Sequence, residues 1–120
     1  MLKELRLKRS HTARRSLRTR ASLHGTAARP RLSVYISLQH VSAQMIDDDA
    51  AKTLLAVTTE HEKTMNKKTM TEKAIWVGEQ IATKAAAAKI EKAVFDRGAK
   101  QYHGRMAALA DAARAKGLEI

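Results

Sequence analysis

The sequence predicts a single α/β domain, α+β-like in its element order β-β-β-α-β-α, preceded by a basic N-terminal arm. Three observations lead to this fold class. Two successive runs between residues 31 and 46 show the two-residue period of strands, and a third run, Thr53–Thr59, is rich in β-branched residues. A helical run with a stripe of small residues follows them. A short apolar run then separates that helix from a second one, and a strand–helix–strand unit favours parallel pairing. We therefore expect a mixed four-stranded sheet of order 3-2-1-4 with the helices packed on it.

Alternating apolar and polar residues predict the first two strands, and a run rich in β-branched residues predicts the third. In Arg31–Leu38 the apolar residues share one face, and Pro30, which has no N–H to donate, suits the start of a strand. Val41–Ile46 and Thr53–Thr59 are the second and third runs, and the short links between them predict an antiparallel meander. The apolar face of the first strand is expected to hold Leu32, Val34, Ile36 and Leu38.

Three consecutive aspartates, Asp47-Asp48-Asp49, separate the second and third strands. No glycine or later glutamate completes a calcium-loop pattern around them, whereas aspartates often hydrogen-bond their own backbone in turns. The five histidines lack zinc spacing, and the glycines match neither a phosphate loop nor a dinucleotide fingerprint. We therefore expect a turn at the aspartates, and neither a metal nor a cofactor.

The first helix of the domain follows a polar segment, Glu60–Met70, which is typical of a surface loop. Thr69 and Glu72 have the spacing of a capping box, so the helix is expected to begin there and to end near Lys89. Trp76 lies off the apolar stripe and is expected to cover the flank of the core, with stacking on a base as the alternative. The stripe comprises Ala74, Val77, Gly78, Ile81, Ala85 and Ala88, and its small residues are expected to bring the helix close to the sheet.

The short apolar run Ala93–Phe95 predicts a fourth strand buried in the sheet. The last helix is expected from about Arg105 to Lys116, with Gly117 as a left-handed cap and Leu118 folded back on the final turn. The residues expected to face inward from this helix are Met106, Leu109, Ala110 and Ala113.

Positive charge is concentrated at the start of the chain. The protein has 23 lysines and arginines against 12 acids, a net charge of +11; ten of these basic residues and a single acid lie in Met1–Arg31, which gives that segment +9. Such an excess points to a polyanion, nucleic acid first and an anionic membrane second, and no apolar run is long enough to span a bilayer. The absence of cysteine excludes disulfides and thiolate metal sites.

This charge distribution divides the chain into a basic arm, residues 1–28, and a globular domain, residues 29–120, and we expect both to bind nucleic acid. The arm alone is not expected to offset its ordering entropy, but it could become helical or extended on RNA. A solvated disordered tail and a mitochondrial transit peptide are the alternatives for the arm. The candidate RNA contacts at this end of the chain are Lys8, Arg9, Arg14, Arg15, Arg18, Arg20, Arg29 and Arg31.

A second cationic segment joins the fourth strand to the last helix. Arg97 and Arg105 suit phosphates there, and Tyr102 and His103 offer planes for unstacked bases. Asp96 is expected to orient Arg97 or to accept backbone N–H groups at the turn. The alternatives are structural roles: a local salt bridge between Asp96 and Arg97, and packing of Tyr102 under the last helix.

Two polar residues of the first strand are further candidates for contact, and the cationic segment does not form an active site. Tyr35 and Ser37, on the polar face of the first strand, could add a second contact surface or simply face solvent. Within the segment, His103 has no nucleophile or second carboxylate beside it, so the sequence does not predict an enzyme.

Short motifs spread along the chain carry a resemblance to a known family. They are Arg29-Pro30-Arg31-Leu32-Ser33-Val34, His40, Ala43-Gln44, Ile46-Asp47-Asp48, Phe95-Asp96-Arg97-Gly98, Tyr102-His103-Gly104-Arg105 and Ala108-Leu109-Ala110-Asp111-Ala112-Ala113-Arg114. In this order they closely resemble the bacterial form of large-subunit ribosomal protein eighteen, over essentially the whole chain.

The resemblance implies a non-catalytic protein of the cytoplasmic ribosome with a β-β-β-α-β-α fold. It implies binding to 5S rRNA in the central protuberance of the large subunit, with 23S rRNA and large-subunit protein five as neighbours. It also implies RNA contacts for Arg97, Tyr102, His103 and Arg105, and for His40. The alternative is an interaction protein that binds acidic partners or membrane non-specifically through its basic arm.

One segment departs from the family pattern. Where many relatives have an aromatic residue followed by Arg, Ser, Asn and Lys, this chain has Tyr35-Ile36-Ser37-Leu38-Gln39. Two cations and an amide are missing there, so the arm and the cationic segment before the last helix are expected to carry more of the RNA contact.

Overall fold

The computed structural model describes residues 10–18, 23–97 and 104–120 of the 120-residue chain. Residues 10–18 lie in a helix, α1, and the remaining described elements form one sheet with two helices packed on it. These elements are β1 (Arg31–Ile36), β2 (Val41–Asp47), β3 (Lys52–Thr58), a 3-10 turn (Lys63–Met65), α2 (Met70–Ala87), β4 (Val94–Asp96) and α3 (Arg105–Ala115).

The sheet has the predicted order and directions. Its strands lie in the order β3-β2-β1-β4, with β1 and β3 antiparallel to β2 and with β4 parallel to β1. The parallel register places Arg31 beside Val94 and Ser33 beside Asp96. The carboxyl end of β4 therefore lies next to the first strand, and this position decides which side chains Asp96 can reach.

One face of the sheet carries the core. Leu32, Val41 and Met45 are completely buried there, as the alternation predicted, and both α2 and α3 contribute residues to the same cluster. Leu38 was predicted to share this face, but its side chain is 97% exposed. The prediction was wrong because β1 ends at Ile36, where a tight turn begins.

Helix α2 begins and packs largely as its sequence predicts. Thr69 accepts a hydrogen bond from the N–H of Glu72, whose carboxylate accepts one from the N–H of Thr69, so the capping box is confirmed. The predicted stripe is buried except for Ala88, which lies beyond the end of the helix and is exposed. The small residues also act differently from the prediction at Gly78, where a Cβ would collide with the Leu109 carbonyl oxygen, because α2 approaches α3 there.

Three smaller predictions have mixed outcomes. Trp76 is half-buried and packs against the core, as expected. The polar segment before α2 is not wholly superficial, because its 3-10 turn buries Met65. At the end of α3, Gly117 has a φ of 101° and Leu118 donates its N–H to the Ala113 carbonyl, which confirms the predicted cap.

No helix of the described residues is long and apolar enough to cross a membrane.

Candidate nucleic-acid interface

Helix α1 gathers its positive charge on one side. At about 100° per residue, its three arginines and His11 fall within an arc of about 100°. The residues on this face are Arg14, Arg15, Arg18 and His11, and all four are exposed. From the sequence, the arm was expected to become helical or extended on RNA, whereas the structure has residues 10–18 helical in the chain alone. We call these four residues the arginine face.

The second cationic surface forms where the turn after β1 meets the start of α3. An open groove at this place is lined by the turn and by Arg105, which is exposed. Gly104 precedes Arg105 with a φ of 54°, a conformation that favours glycine, so the sequence permits the chain to enter α3 at this angle. The residues lining the groove, which we call the hairpin groove, are Tyr35, Ile36, Ser37, Leu38, Gln39, His40 and Arg105.

The turn that forms the wall of the hairpin groove is held by its own hydrogen bonds. The N–H and the hydroxyl of Ser37 both donate to the His40 carbonyl oxygen, at 2.9 and 3.2 Å, and the His40 N–H donates to the Ser37 hydroxyl at 3.1 Å. The His40 ring lies 3.3 Å from the hydroxyl of Thr59, and the Lys73 ammonium donates to the Gln39 carbonyl. Ser37 and His40 therefore shape the groove, while Tyr35 stands 69% exposed beside it.

The groove has a cationic bias. Among the described residues that line it there is no carboxylate, and Arg105 supplies a positive charge. Tyr35 and the exposed Leu38 add an aromatic and an aliphatic surface. A groove with a cation, an accessible aromatic ring and a rigid wall can hold a phosphate beside an unstacked base or sugar.

Arg31, predicted as an RNA contact, has a different role in the structure. Its guanidinium donates from Nε and Nη2 to the two carboxylate oxygens of Asp48, both at 3.0 Å, and from Nη1 to Asp96 at 2.8 Å. Only 8% of the residue is exposed. The guanidinium is directed into the protein by two carboxylates, so the structure gives Arg31 a structural role.

The hydrogen bond between Arg31 and Asp48 changes the pKa of both groups. The hydrogen bond from Arg31, followed by that from the N–H of Gly25, lowers the pKa of Asp48 from 3.8 to about 2. The hydrogen bond between Arg31 and Asp48 also raises the pKa of Arg31 above its ordinary value. Asp96 is almost completely buried, and its pairing with Arg31 gives it the structural partner that the sequence did not indicate.

The last residues of the arm, 24–28, which we call the linker, are docked onto the turn between β2 and β3 through His24 and Gly25. The Gly25 N–H donates to Asp48 at 2.7 Å, and its carbonyl accepts from the Asp48 N–H at 3.0 Å. His24 lies 2.6 Å from Asp49, whose hydrogen bond raises the pKa of the imidazole. Asp47 accepts from the N–H groups of Asp49 and Ala50, which confirms the predicted turn. The aspartates thus form a turn that holds the linker.

The remaining predicted contacts are spread along the chain. Arg29 is exposed directly after the linker, and Arg97 is half-buried directly after β4. The structure therefore brings Arg105 together with the hairpin, a grouping that sequence spacing did not reveal. Five predicted contacts lie outside the described residues: Lys8, Arg9, Arg20, Tyr102 and His103.

Comparison with known proteins adds an independent observation. Residues 6–120 match the family described as ribosomal L18 of archaea, bacteria, mitochondria and chloroplast. A large ribosomal subunit protein uL18 from Kosmotoga olearia is 48% identical over 98% of this chain and 94% of its own length. Proteins of the same name from Leuconostoc mesenteroides and Chlorobaculum parvum are 48% and 49% identical over 89% and 84% of the chain, and over 90% and 86% of their own lengths.

Proposed function

This chain belongs to the ribosomal L18 family, as a structural constituent of the large ribosomal subunit, and from that membership we propose that it binds 5S rRNA and helps attach it to 23S rRNA. The proposed place is the central protuberance, with large-subunit ribosomal protein five as a protein neighbour. The observation that carries the proposal is the pair of exposed cationic surfaces, the arginine face and the hairpin groove, on a chain with a net charge of +11.

The two surfaces differ in what they contribute. The arginine face places three guanidinium groups on one side of a helix, where they can replace the counterions of an RNA backbone, and this term weakens as salt rises. The hairpin groove has fewer charges and a fixed shape, so it distinguishes RNA conformations rather than adding general affinity. We therefore assign most of the electrostatic affinity to the arm and most of the fit to the domain.

The domain boundary follows the same division. We propose that residues 1–28 act as the RNA-binding arm and residues 29–120 as the globular domain. The side chains proposed to contact RNA are Lys8, Arg9, Arg14, Arg15, Arg18, Arg20, Arg29, Tyr35, Arg97, Tyr102, His103 and Arg105. Ser37 and His40 are proposed to act mainly through the turn that they hold.

The arginine face can be tested by the salt dependence of binding. Replacing Arg14, Arg15 and Arg18 together by alanine should lower the affinity for 5S rRNA and reduce the slope of log K against log salt by about 2 to 3, since each lost phosphate contact removes about 0.7 to 0.9. The measurement is a filter-binding titration of the full chain at several salt concentrations. An unchanged slope would remove the arginine face from the proposed interface.

A matched control is available in the segment before α2. Lys63, Lys67 and Lys68 are exposed in the segment before α2, and their replacement by alanine removes the same charge. This control should leave the salt slope nearly unchanged.

Competition by tRNA separates the two candidate functions. If the arm binds polyanions non-specifically, tRNA should displace bound 5S rRNA as readily as additional 5S rRNA does.

A further inference from the structure

A buried ion cluster connects the two RNA-binding parts of the chain. It consists of Arg31 with Asp48 and Asp96, together with Gly25, and we call it the Arg31 anchor. Asp48 belongs to the turn after β2, Asp96 is the last residue of β4, and Gly25 belongs to the linker at the end of the arm. One guanidinium therefore holds three segments that are far apart in the sequence.

The side of the anchor nearest the arm fixes the backbone closely. Gly25 pairs with Asp48 through both its N–H and its carbonyl, at 2.7 and 3.0 Å. A Cβ at Gly25 would collide with the backbone of Ile46 and of Arg31, so only glycine fits this approach. The direction in which the chain leaves the domain toward the arm is thus set at residue 25, seven residues after Arg18.

The opposite side of the anchor lies at the start of the second cationic segment. Arg31 Nη1 donates to Asp96 at 2.8 Å, and Arg97 is the next residue along the chain. Arg97 is the first residue after β4, and α3 begins at Arg105, which lines the hairpin groove. The same guanidinium therefore restrains both the exit of the arm and the beginning of the connection between β4 and α3.

Stability alone does not account for such a cluster. Desolvating an arginine and two carboxylates is costly, and apolar residues of similar volume often stabilise a fold as well or better. The ion cluster fixes the relative positions of its members, because the planar guanidinium donates hydrogen bonds to its two carboxylate partners only at fixed angles. A fixed geometry matters most where two separate surfaces must contact one ligand at once.

We propose that Arg31 is a positioning residue for RNA binding: through Asp48 and Asp96 it fixes Gly25, near the domain end of the arm, relative to the end of β4, so that the arm and the domain contact one RNA together. This inference rests on the proposed function. Two surfaces held at a fixed separation bind one ligand more tightly than two loosely joined ones, because the second contact forms at a high effective concentration. The anchor therefore contributes affinity without touching RNA.

The test is a double-mutant cycle in the full chain. Gly25→Ala should displace the linker while leaving the three charged residues intact, and it should weaken 5S rRNA binding about tenfold. In a chain whose Arg14, Arg15 and Arg18 are already alanine, Gly25→Ala should have a clearly smaller effect, because the arm that it positions has lost three of its proposed RNA contacts. Additive effects of Gly25→Ala and the arginine changes would overturn the proposal.

A second variant and a control separate positioning from loss of fold. Arg31→Lys keeps the charge but loses the fork, so it should show the same coupling to the arginine changes. Gly117→Ala strains the cap of α3 at a φ of 101°, far from the linker in sequence, and should lower thermal stability with no such coupling. Binding losses that follow the unfolding midpoint in all three variants, or unfolding of both anchor variants, would make the anchor purely structural.

The cycle and the proposed function can fail separately. If the wild-type chain shows no preference for 5S rRNA over tRNA, the proposed function is contradicted. If the wild-type chain shows that preference but the double-mutant effects are additive, only the positioning role of Arg31 is contradicted.

Discussion

Replacing Asp48 by asparagine should destabilise the protein at neutral pH and have a smaller effect in acid. The pairing with Arg31 and the N–H of Gly25 lowers the pKa of this carboxyl from 3.8 to about 2. At about 1.4 kcal/mol per pKa unit, that shift corresponds to about 2 kcal/mol of folding free energy. The Asp48 side chain is 24% exposed, so solvent screening reduces the expected loss on Asp48→Asn to about 1 to 2 kcal/mol at pH 7.

The sign of the pH dependence follows from the lowered pKa. A carboxyl with a lower pKa in the folded state stabilises the protein above its unfolded pKa, near pH 4, and this stabilisation disappears as the pH falls through about 2. By pH 3 roughly half of the contribution of Asp48 is lost. The wild-type protein should therefore lose about 1 kcal/mol more than Asp48→Asn between pH 7 and pH 3.

Urea unfolding at the two pH values measures this difference directly. Other carboxylates titrate in both proteins, so the difference between wild type and variant isolates the contribution of Asp48. Asp49→Asn is the matched control, because the neighbouring carboxylate is 63% exposed and pairs only with the exposed His24 in the interactions described above. Identical acid sensitivity of wild type and Asp48→Asn would refute the assignment of Asp48 as the ionised partner of Arg31.

Three further predictions follow from single contacts. Since the hydrogen bond to Asp49 raises the pKa of His24, the small stabilisation from this pair is fully present below pH 6.5 and is lost as the pH rises through the higher folded value; an NMR titration of Asp49→Asn should return the His24 pKa toward 6.5. Gly78→Ala should cost about 1 to 3 kcal/mol in a urea titration, because its methyl group would collide with the Leu109 carbonyl. Arg105→Ala should weaken 5S rRNA binding without changing the unfolding midpoint, and a lowered midpoint would show that Arg105 is structural.

The sequence predicts those parts of the fold that depend on local patterns. The two-residue period placed the first two strands, β-branched residues placed the third, and the Thr69 capping box placed the start of α2, because each pattern reflects contacts within a few residues. Leu38 shows where such a pattern stops being informative. Its alternation continues past Ile36, but the hydrogen bonds between Ser37 and His40 turn the chain and expose it.

The candidate interface was less accessible to sequence reasoning, because charge counts do not show pairing. Arg31 lies in a basic segment and looks like an RNA contact, yet its partners are 17 and 65 residues away. A signal was present in Asp96, a carboxylate inside an otherwise cationic segment directly after a buried strand. A buried carboxylate needs a partner, and the parallel pairing of β4 with β1 brings that strand beside Arg31.

The positions of Arg31 and Arg105 together change the expected division of affinity. The turn of the hairpin carries no lysine or arginine, so its groove depends on Arg105 for positive charge. A single exposed arginine gives limited phosphate affinity, whereas the arginine face offers three such contacts on one helix. Under the positioning role proposed for Arg31, we therefore expect the fixed linker at Gly25 to contribute more to RNA binding than one additional charge on the hairpin would.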